Sequence, residues 1–265
     1  MKAVSGGMMK LLDGTTLASV AMARLREFDA SALHKSPDGY WLAYSGGKDS
    51  VVLLDLVKQA GVTFRAVHNL TTCDPPELVQ FVRRQPQVEI HKPAISMWNL
   101  IRKKGMPPRR KARYCCEALK ECGGAGHVVL TGVRWSESNR RRSRRMVESC
   151  YRDGSKTFLH PIIDWPTDAV WEYIRDRELS YCSLYDEGFK RLGCVLCPMT
   201  RDVERQMARW PQLARAWEKA VKATYSAKKD NGYGFTSAEE YWQWWLDRDA
   251  PARMGDSQPV LFADS

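Results

Sequence analysis

Ser45-Gly46-Gly47-Lys48-Asp49-Ser50 stands between a β-like run, Tyr40 to Ser45, and a helix-compatible run, Ser50 to Ala60. Two glycines at such a junction let the backbone come close to a ligand, and the amides at a helix start carry a partial positive charge that suits an anion. Lys48 adds a full charge, and the hydroxyls of Ser45 and Ser50 add donors. The order differs from the G-x-x-x-x-G-K-[ST] phosphate loop, because the Gly-Lys pair is followed by Asp49. The expected chemistry is phosphate binding.

A second group of residues points to soft-metal chemistry. Cys115 and Cys116 are adjacent, and Cys194 and Cys197 form a C-x-x-C. Four thiolates can hold a tetrahedral Zn²⁺ or an iron–sulfur cluster. Vicinal side chains tend to diverge, which suits two corners of a cubane better than two ligands of one small ion. A [4Fe-4S] cluster is therefore expected ahead of Zn²⁺ and of metal-free redox thiols. Cys73, Cys122, Cys150 and Cys182 lack paired spacing and read as ordinary buried thiols.

The elements that must position these groups alternate. After an opening helix from Thr16 to Phe28, strands are expected at Tyr40 to Ser45, Thr63 to Leu70 and Val88 to Lys92. Helices fall between and after them, at Ser50 to Ala60, Pro76 to Arg84 and Ser96 to Lys104, the last capped by Ser96. Further on come a helical stretch from Cys116 to Glu121, β-like runs at His127 to Val133 and Phe158 to Ile163, and a helix from Thr167 to Arg177 with Thr167 as its cap. Strand, helix, strand in succession gives right-handed crossovers, hence a doubly wound, mainly parallel α/β sheet whose ligands bind beyond the carboxyl ends of the strands. Beyond Pro198 the tail changes character. Trp210, Trp217, Tyr225, Tyr241, Trp242, Trp244 and Trp245 suit a small helical extension, as helix-packing aromatics rather than base-stacking platforms. The organisation expected is a helical segment over 1–37, a nucleotide domain over 38–200 and a Trp-rich subdomain over 201–265 whose last dozen residues form an untethered end.

Composition bounds the partners. With 265 residues, 44% hydrophobic and 27% charged, the chain is globular in make-up rather than disordered or collagen-like. The best apolar run, Val51 to Val57, is broken by Asp55, so no membrane span is expected, and Met1 to Gly14 lacks the apolar core of a signal peptide. A cytoplasmic location follows as an expectation, and there thiols stay reduced and available for metal or redox chemistry. The chain has 41 Lys and Arg against 31 Asp and Glu, a net +10. The excess is clustered in Arg102, Lys103, Lys104, Arg109, Arg110, Lys111 and Arg113, and again in Arg140, Arg141, Arg142, Arg144 and Arg145. Two such arms suit a polyanion, with nucleic acid the expected partner.

The loop resembles the pyrophosphate loop of the adenine nucleotide α-hydrolase superfamily. The resemblance implies ATP as ligand, with Lys48 and Asp49 in the catalytic role, Lys48 on the β and γ oxygens and Asp49 on Mg²⁺. Closer in, a series of strings is similar in order to the phosphoadenosine phosphosulfate reductase family: His68 to Glu77, Arg113-Tyr114-Cys115-Cys116, Gly132-Val133-Arg134-Trp135-Ser136-Glu137-Ser138 with Arg140, Pro161 to Trp165, and Gly193 to Pro198. That likeness places Asn69, Thr71 and Thr72 along an adenosine site, sets Gly132, Arg134 and Arg140 toward phosphate or sulfate, and gives the cluster to Cys115, Cys116, Cys194 and Cys197. The family's reductases have an altered loop and a C-terminal nucleophilic cysteine. Here Lys48 and Asp49 are present, and no cysteine follows Cys197. The pattern is similar to the iron–sulfur ATP pyrophosphatases of DNA phosphorothioation systems. The activity so implied is cleavage of ATP to AMP and pyrophosphate, adenylylating an oxygen of DNA, or less readily of tRNA, for sulfur insertion, with a cysteine desulfurase as sulfur donor. The alternatives are a sulfonucleotide reductase using an external thiol and a non-catalytic, cluster-bearing DNA-associated subunit.

Overall fold

The computed structural model describes residues 14–150, 153–225 and 234–247. The expectations for the N-terminal leader region and for the untethered end lie outside these residues. Two compact units interleave along the chain. One is made of the described residues up to 69, with 76–91 and 123–192; the other of 70–75, 92–122 and the described residues from 193 onward. Residues 70–75 and 92–122, assigned from sequence to the nucleotide domain, thus belong by contact with the Trp-rich tail.

The first unit is built on a six-stranded sheet of order β3-β2-β1-β4-β6-β5. Its strands are β1 (Tyr40–Ala43), β2 (Phe64–Asn69), β3 (Val88–His91), β4 (Val128–Leu130), β5 (Val147–Ser149) and β6 (Thr157–Leu159). All pairings are parallel except β5 with β6. The antiparallel edge strand β5 directly follows the arginine cluster, and its Val-Glu-Ser carries too little apolar alternation to be read from sequence. Tyr40, Trp41 and Leu42 of β1 are all buried, as expected of a central parallel strand covered on both faces. Strand order reverses between β1 and β4, so the chain leaving β1 sits at the switch point where such sheets bind ligands.

That chain enters α3 (Lys48–Ala60), which starts two residues earlier than its apolar pattern indicates because Gly47 is its N-cap. The helix buries Val52, Leu53, Leu56 and Val57 and ends at Gly61, whose φ of 72° is the left-handed turn that glycine adopts without penalty. α1 (Leu17–Glu27) packs on α3, capped by Thr16 and Ser19 in a reciprocal box, and Tyr40 Oη donates to its Leu25 carbonyl at 2.7 Å. α4 (Pro76–Arg83) and α8 (Thr167–Asp176) complete the unit's longer helices after α2 (Asp29–Lys35). The cap of α8 is Pro166 rather than Thr167, which stands inside the helix with its hydroxyl turned to Arg134.

The second unit is helical: α5 (Met97–Lys104), α6 (Tyr114–Leu119), α9 (Val203–Arg209), α10 (Pro211–Lys222) and α11 (Ala238–Leu246). Ser96 caps α5 as expected. Its tryptophans form a core, not a platform. Trp217 is fully buried, stacks on Trp245 at 4.9 Å and meets Trp98 edge-on at 5.4 Å, while Trp245 Nε1 donates to Pro108 O. Among the described residues, no helix is long and apolar enough to cross a membrane.

Candidate functional site

The glycine loop is braced from within. Gly46 has φ +76°, and a Cβ there would fall 2.7 Å from Leu78 Cδ1, so only glycine fits. Ser50 Oγ donates to Gly47 O at 2.8 Å, Gly47 N donates to Ser45 Oγ at 3.3 Å, and the two hydroxyls meet at 3.2 Å. These serines therefore hold the loop's shape. The first amide of α3, Lys48 N, donates to the hydroxyl of Tyr185 at 3.0 Å, a partner with no signal in the sequence.

Lys48 and Asp49 lie in a chain of charge. Lys48 Nζ lies 2.9 Å from Asp49 Oδ2, and Arg134 Nε lies 2.7 Å from Asp49 Oδ1. Burial pulls the Lys48 ammonium below its ordinary range, and the carboxylate of Asp49 opposes that pull. Arg134 differs from its expected role. Its side chain is only 1% exposed and donates from Nε to Asp49 and from Nη1 to Ser136 Oγ and Trp165 O, which makes it an internal counter-ion of Asp49. Gly132 fits this arrangement, since a Cβ there would sit 3.0 Å from the backbone of Asp49. Arg140, on α7 (Asn139–Arg142), is exposed. Each oxygen of Asp49 faces one cation and keeps a second lone pair, by which a Mg²⁺ can be held directly or through water.

Asn69 ends β2, half-buried, in the first unit. Thr71 and Thr72 fall in the second, where their hydroxyls have internal partners. Thr72, at φ 65°, accepts Met97 N at 2.9 Å, and buried Thr71 lies 3.4 Å from the sulfurs of both Cys73 and Cys194.

Those contacts open onto the thiol site of the second unit. Cys115, Cys116, Cys194 and Cys197 act on one another electrostatically. Cys116 is lowered to about 6 by the thiol of Cys115 and by Arg113, whose guanidinium is 3.3 Å from its sulfur. Cys194 is lowered to about 6, first by the thiol of Cys73 and then by Lys120, and burial pushes Cys73 up. Cys73, expected to be an ordinary buried thiol, is thus a fifth sulfur in the group. Cys182 is buried as expected, whereas Cys122 is exposed and Cys150 half-buried. The C-x-x-C turn is pinned by three bonds: Val195 N to Cys73 O at 2.8 Å, Leu196 N to Gln206 Oε1 at 2.7 Å, and Trp217 Nε1 to Val195 O at 2.9 Å. Leu196 takes a left-handed φ of 53°. The donor set fits a soft metal in kind. Among the described residues, no group of three or more His, Cys, Asp or Glu is placed to hold a metal ion.

The phosphoadenosine phosphosulfate reductase domain, as a family, matches residues 39–200. An uncharacterised protein of Methanocaldococcus jannaschii is 29% identical over 220 residues, covering 77% of this chain and 45% of the relative; a second from the same organism is 25% identical, with 54% of it covered. The chain thus spans about half the length of these relatives. The adenosine 5'-phosphosulfate reductase of Oceanobacillus iheyensis is 28% identical over 167 residues, covering 58% of this chain and 69% of the reductase. A solved phosphoadenylyl-sulfate reductase from Candida auris aligns with a TM-score of 0.47 at 20% identity, over 71% of this chain and 98% of that one.

Proposed function

The chain belongs to the phosphoadenosine phosphosulfate reductase family, and from that premise we propose that it is an ATP pyrophosphatase that adenylylates a nucleic-acid oxygen for replacement by sulfur. The observation that carries the reading is the loop itself: a shaped glycine turn at a helix N-terminus, with Lys48 held beside it by Asp49 and Arg134. A reductase substrate ends in one phosphate and one sulfate and gives a lysine at this place less to neutralise; a triphosphate brings the charge that Lys48 matches. In the reaction, a substrate oxygen attacks the α phosphorus and the bond to the β-phosphate oxygen breaks. Pyrophosphate leaves with the electron pair; the outer sulfur of a donor persulfide then displaces AMP, and a second donor thiol cleaves the S–S bond, leaving sulfur on the acceptor and a disulfide on the donor. Lys48 stabilises the charge gathering on the leaving group, an electrostatic and positional form of catalysis. Asp49 keeps Lys48 charged and aimed. A divalent ion that accompanies ATP would be held by phosphate oxygens and by the remaining lone pairs of Asp49, directly or through water.

Cys115, Cys116, Cys194 and Cys197 are proposed to hold a [4Fe-4S] cluster, which when bound supplies electron or sulfur chemistry. In this chain Arg113 favours the thiolate of Cys116 and Lys120 that of Cys194, two of the four forms that such ligation requires, while Cys115 and Cys197 are pushed up. DNA is the proposed acceptor ahead of tRNA, with a cysteine desulfurase as donor. A second reading, adenosine phosphosulfate reduction with a thiol from a partner, is favoured by the names of the bacterial relatives. The deciding experiment is pyrophosphate release from ATP by anaerobically purified protein, with and without DNA or RNA, beside sulfite release from adenosine phosphosulfate with thioredoxin. Lys48→Ala is expected to lower pyrophosphate release at least a hundredfold, on the order of 3 kcal/mol of transition-state stabilisation. Sulfite release without pyrophosphate release would overturn the proposal in favour of the second reading.

A further inference from the structure

Glu137 closes the 3-10 turn Trp135–Glu137, and its carboxylate serves several partners. Oε2 accepts Arg134 N at 3.0 Å and pairs with Arg141 of α7, while Oε1 lies 3.9 Å from Nη2 of Arg191. The Glu137 side chain is 12% exposed, against 33% for Arg141 and 70% for Arg191. A nearly buried carboxylate therefore gathers two guanidinium groups while engaging one amino group of each, and every guanidinium carries five N–H donors.

Charge around this carboxylate is out of balance. Among the described residues, Lys48, Arg134, Arg141 and Arg191 of one compact unit pair with two carboxylates, Asp49 and Glu137, so four cations share two anions. Neighbouring groups do not make up the difference: burial holds His160 neutral at about 4 and pushes the phenol of Tyr185 up. Arg141 is lowered to about 10, first by burial and then by Arg191, and the field of Arg191 reaches Lys48 as well. Like charges brought this close favour an anion that completes them. Arg191 is the loosest member, exposed and at the long end of an ion pair, and can turn to a ligand without breaking any buried contact.

We propose that Arg141 and Arg191, gathered by Glu137, form a second anion subsite beside the glycine loop, taking the distal phosphates of a nucleoside triphosphate and inorganic pyrophosphate after cleavage. The inference rests on the loop being an ATP site and adds to it a residue pair that measures chain length. A phosphosulfate, one phosphoryl unit shorter, does not reach the pair.

Calorimetric titration of the full chain with inorganic pyrophosphate, ATP and AMP tests this. Arg191→Ala is expected to weaken pyrophosphate and ATP about ten- to a hundredfold, as for loss of a hydrogen-bonded charge, while AMP stays within about twofold. Arg191→Lys should recover part of the loss. If the wild type binds ATP and pyrophosphate but Arg191→Ala binds both equally well, the subsite is overturned and the loop assignment stands. If the wild type binds neither, both fall. Arg191 is exposed enough that its removal leaves the fold intact, so a loss of binding is not a loss of structure.

Discussion

His160 is a residue whose burial sets a measurable pH dependence. It follows β6, is 1% exposed, and shares Nδ1 with Thr131 Oγ1 at 2.7 Å, while Nε2, beyond hydrogen-bond reach of any group among the described residues, lies 3.9 Å from Glu148 Oε2, whose charge opposes the effect of burial. A proton on Nε2 faces the Glu148 carboxylate, which leaves Nδ1 to accept from the Thr131 hydroxyl. Burial lowers the ring from 6.5 to about 4. Between those values the unfolded chain holds the proton that the folded chain lacks, so stability is full above pH 6.5 and falls as pH drops toward 4. The loss expected is ~3 kcal/mol at the lower end. Urea unfolding at pH 6.5, 5.5 and 4.5 should show the wild type weakening by about one proton's slope more than His160→Gln; parallel slopes would mean the ring is not buried neutral. The same residue-scale reasoning separates Lys48 from Arg134. Both were legible as cations near a phosphate loop, but a sequence cannot tell a cation that meets ligand from one that sits behind a carboxylate. That distinction depends on Trp165 O, brought to Arg134 from another segment, together with the neighbouring Ser136.

At the scale of elements, the parallel sheet, the loop after β1 and the helix behind it were legible because apolar period and glycine placement agree there. The antiparallel β5 and the start of α3 were not, since both depend on neighbours rather than on their own residues. Least legible was what the C-terminal helices do. The Trp-rich stretch reads as a packing module, and it is one, but its α10 also reaches the C-x-x-C turn through Trp217 Nε1 and Val195 O. That bond, with Gln206 of α9 on Leu196 N, fixes the turn presenting Cys194 and Cys197. Trp217→Phe keeps the ring but removes the donor from a buried carbonyl, an expected loss of about 1–3 kcal/mol. If the helices position the thiols, iron per chain in anaerobically reconstituted protein falls along with thermal stability. A lowered melting temperature with full iron content would make Trp217 a packing residue alone.

Across the whole molecule the net charge of +10 carries information only once the arginines that serve the fold are set aside. Arg109 lies over Trp244 at 3.8 Å, Arg110 bonds Pro198 O, Arg113 faces Cys116, and Arg141 and Arg144 pair with Glu137 and Glu148. Lys103 and Lys111 in one unit, and Arg140, Arg142 and Arg145 in the other, are exposed. Nucleic-acid affinity should therefore depend on fewer residues than the sequence clusters contain. On duplex DNA each phosphate neutralised contributes about −0.9 to the slope of log affinity against log salt. Replacing Lys103 and Lys111 by alanine should flatten that slope by roughly 2, and replacing the three exposed arginines by roughly 3, at about 0.9 for each phosphate no longer neutralised. Fluorescence anisotropy with a labelled duplex over a salt series measures both. An arm whose removal leaves the slope unchanged is solvated surface, and an unchanged slope for both would remove the charge argument for a nucleic-acid acceptor while leaving the ATP chemistry of the loop untouched.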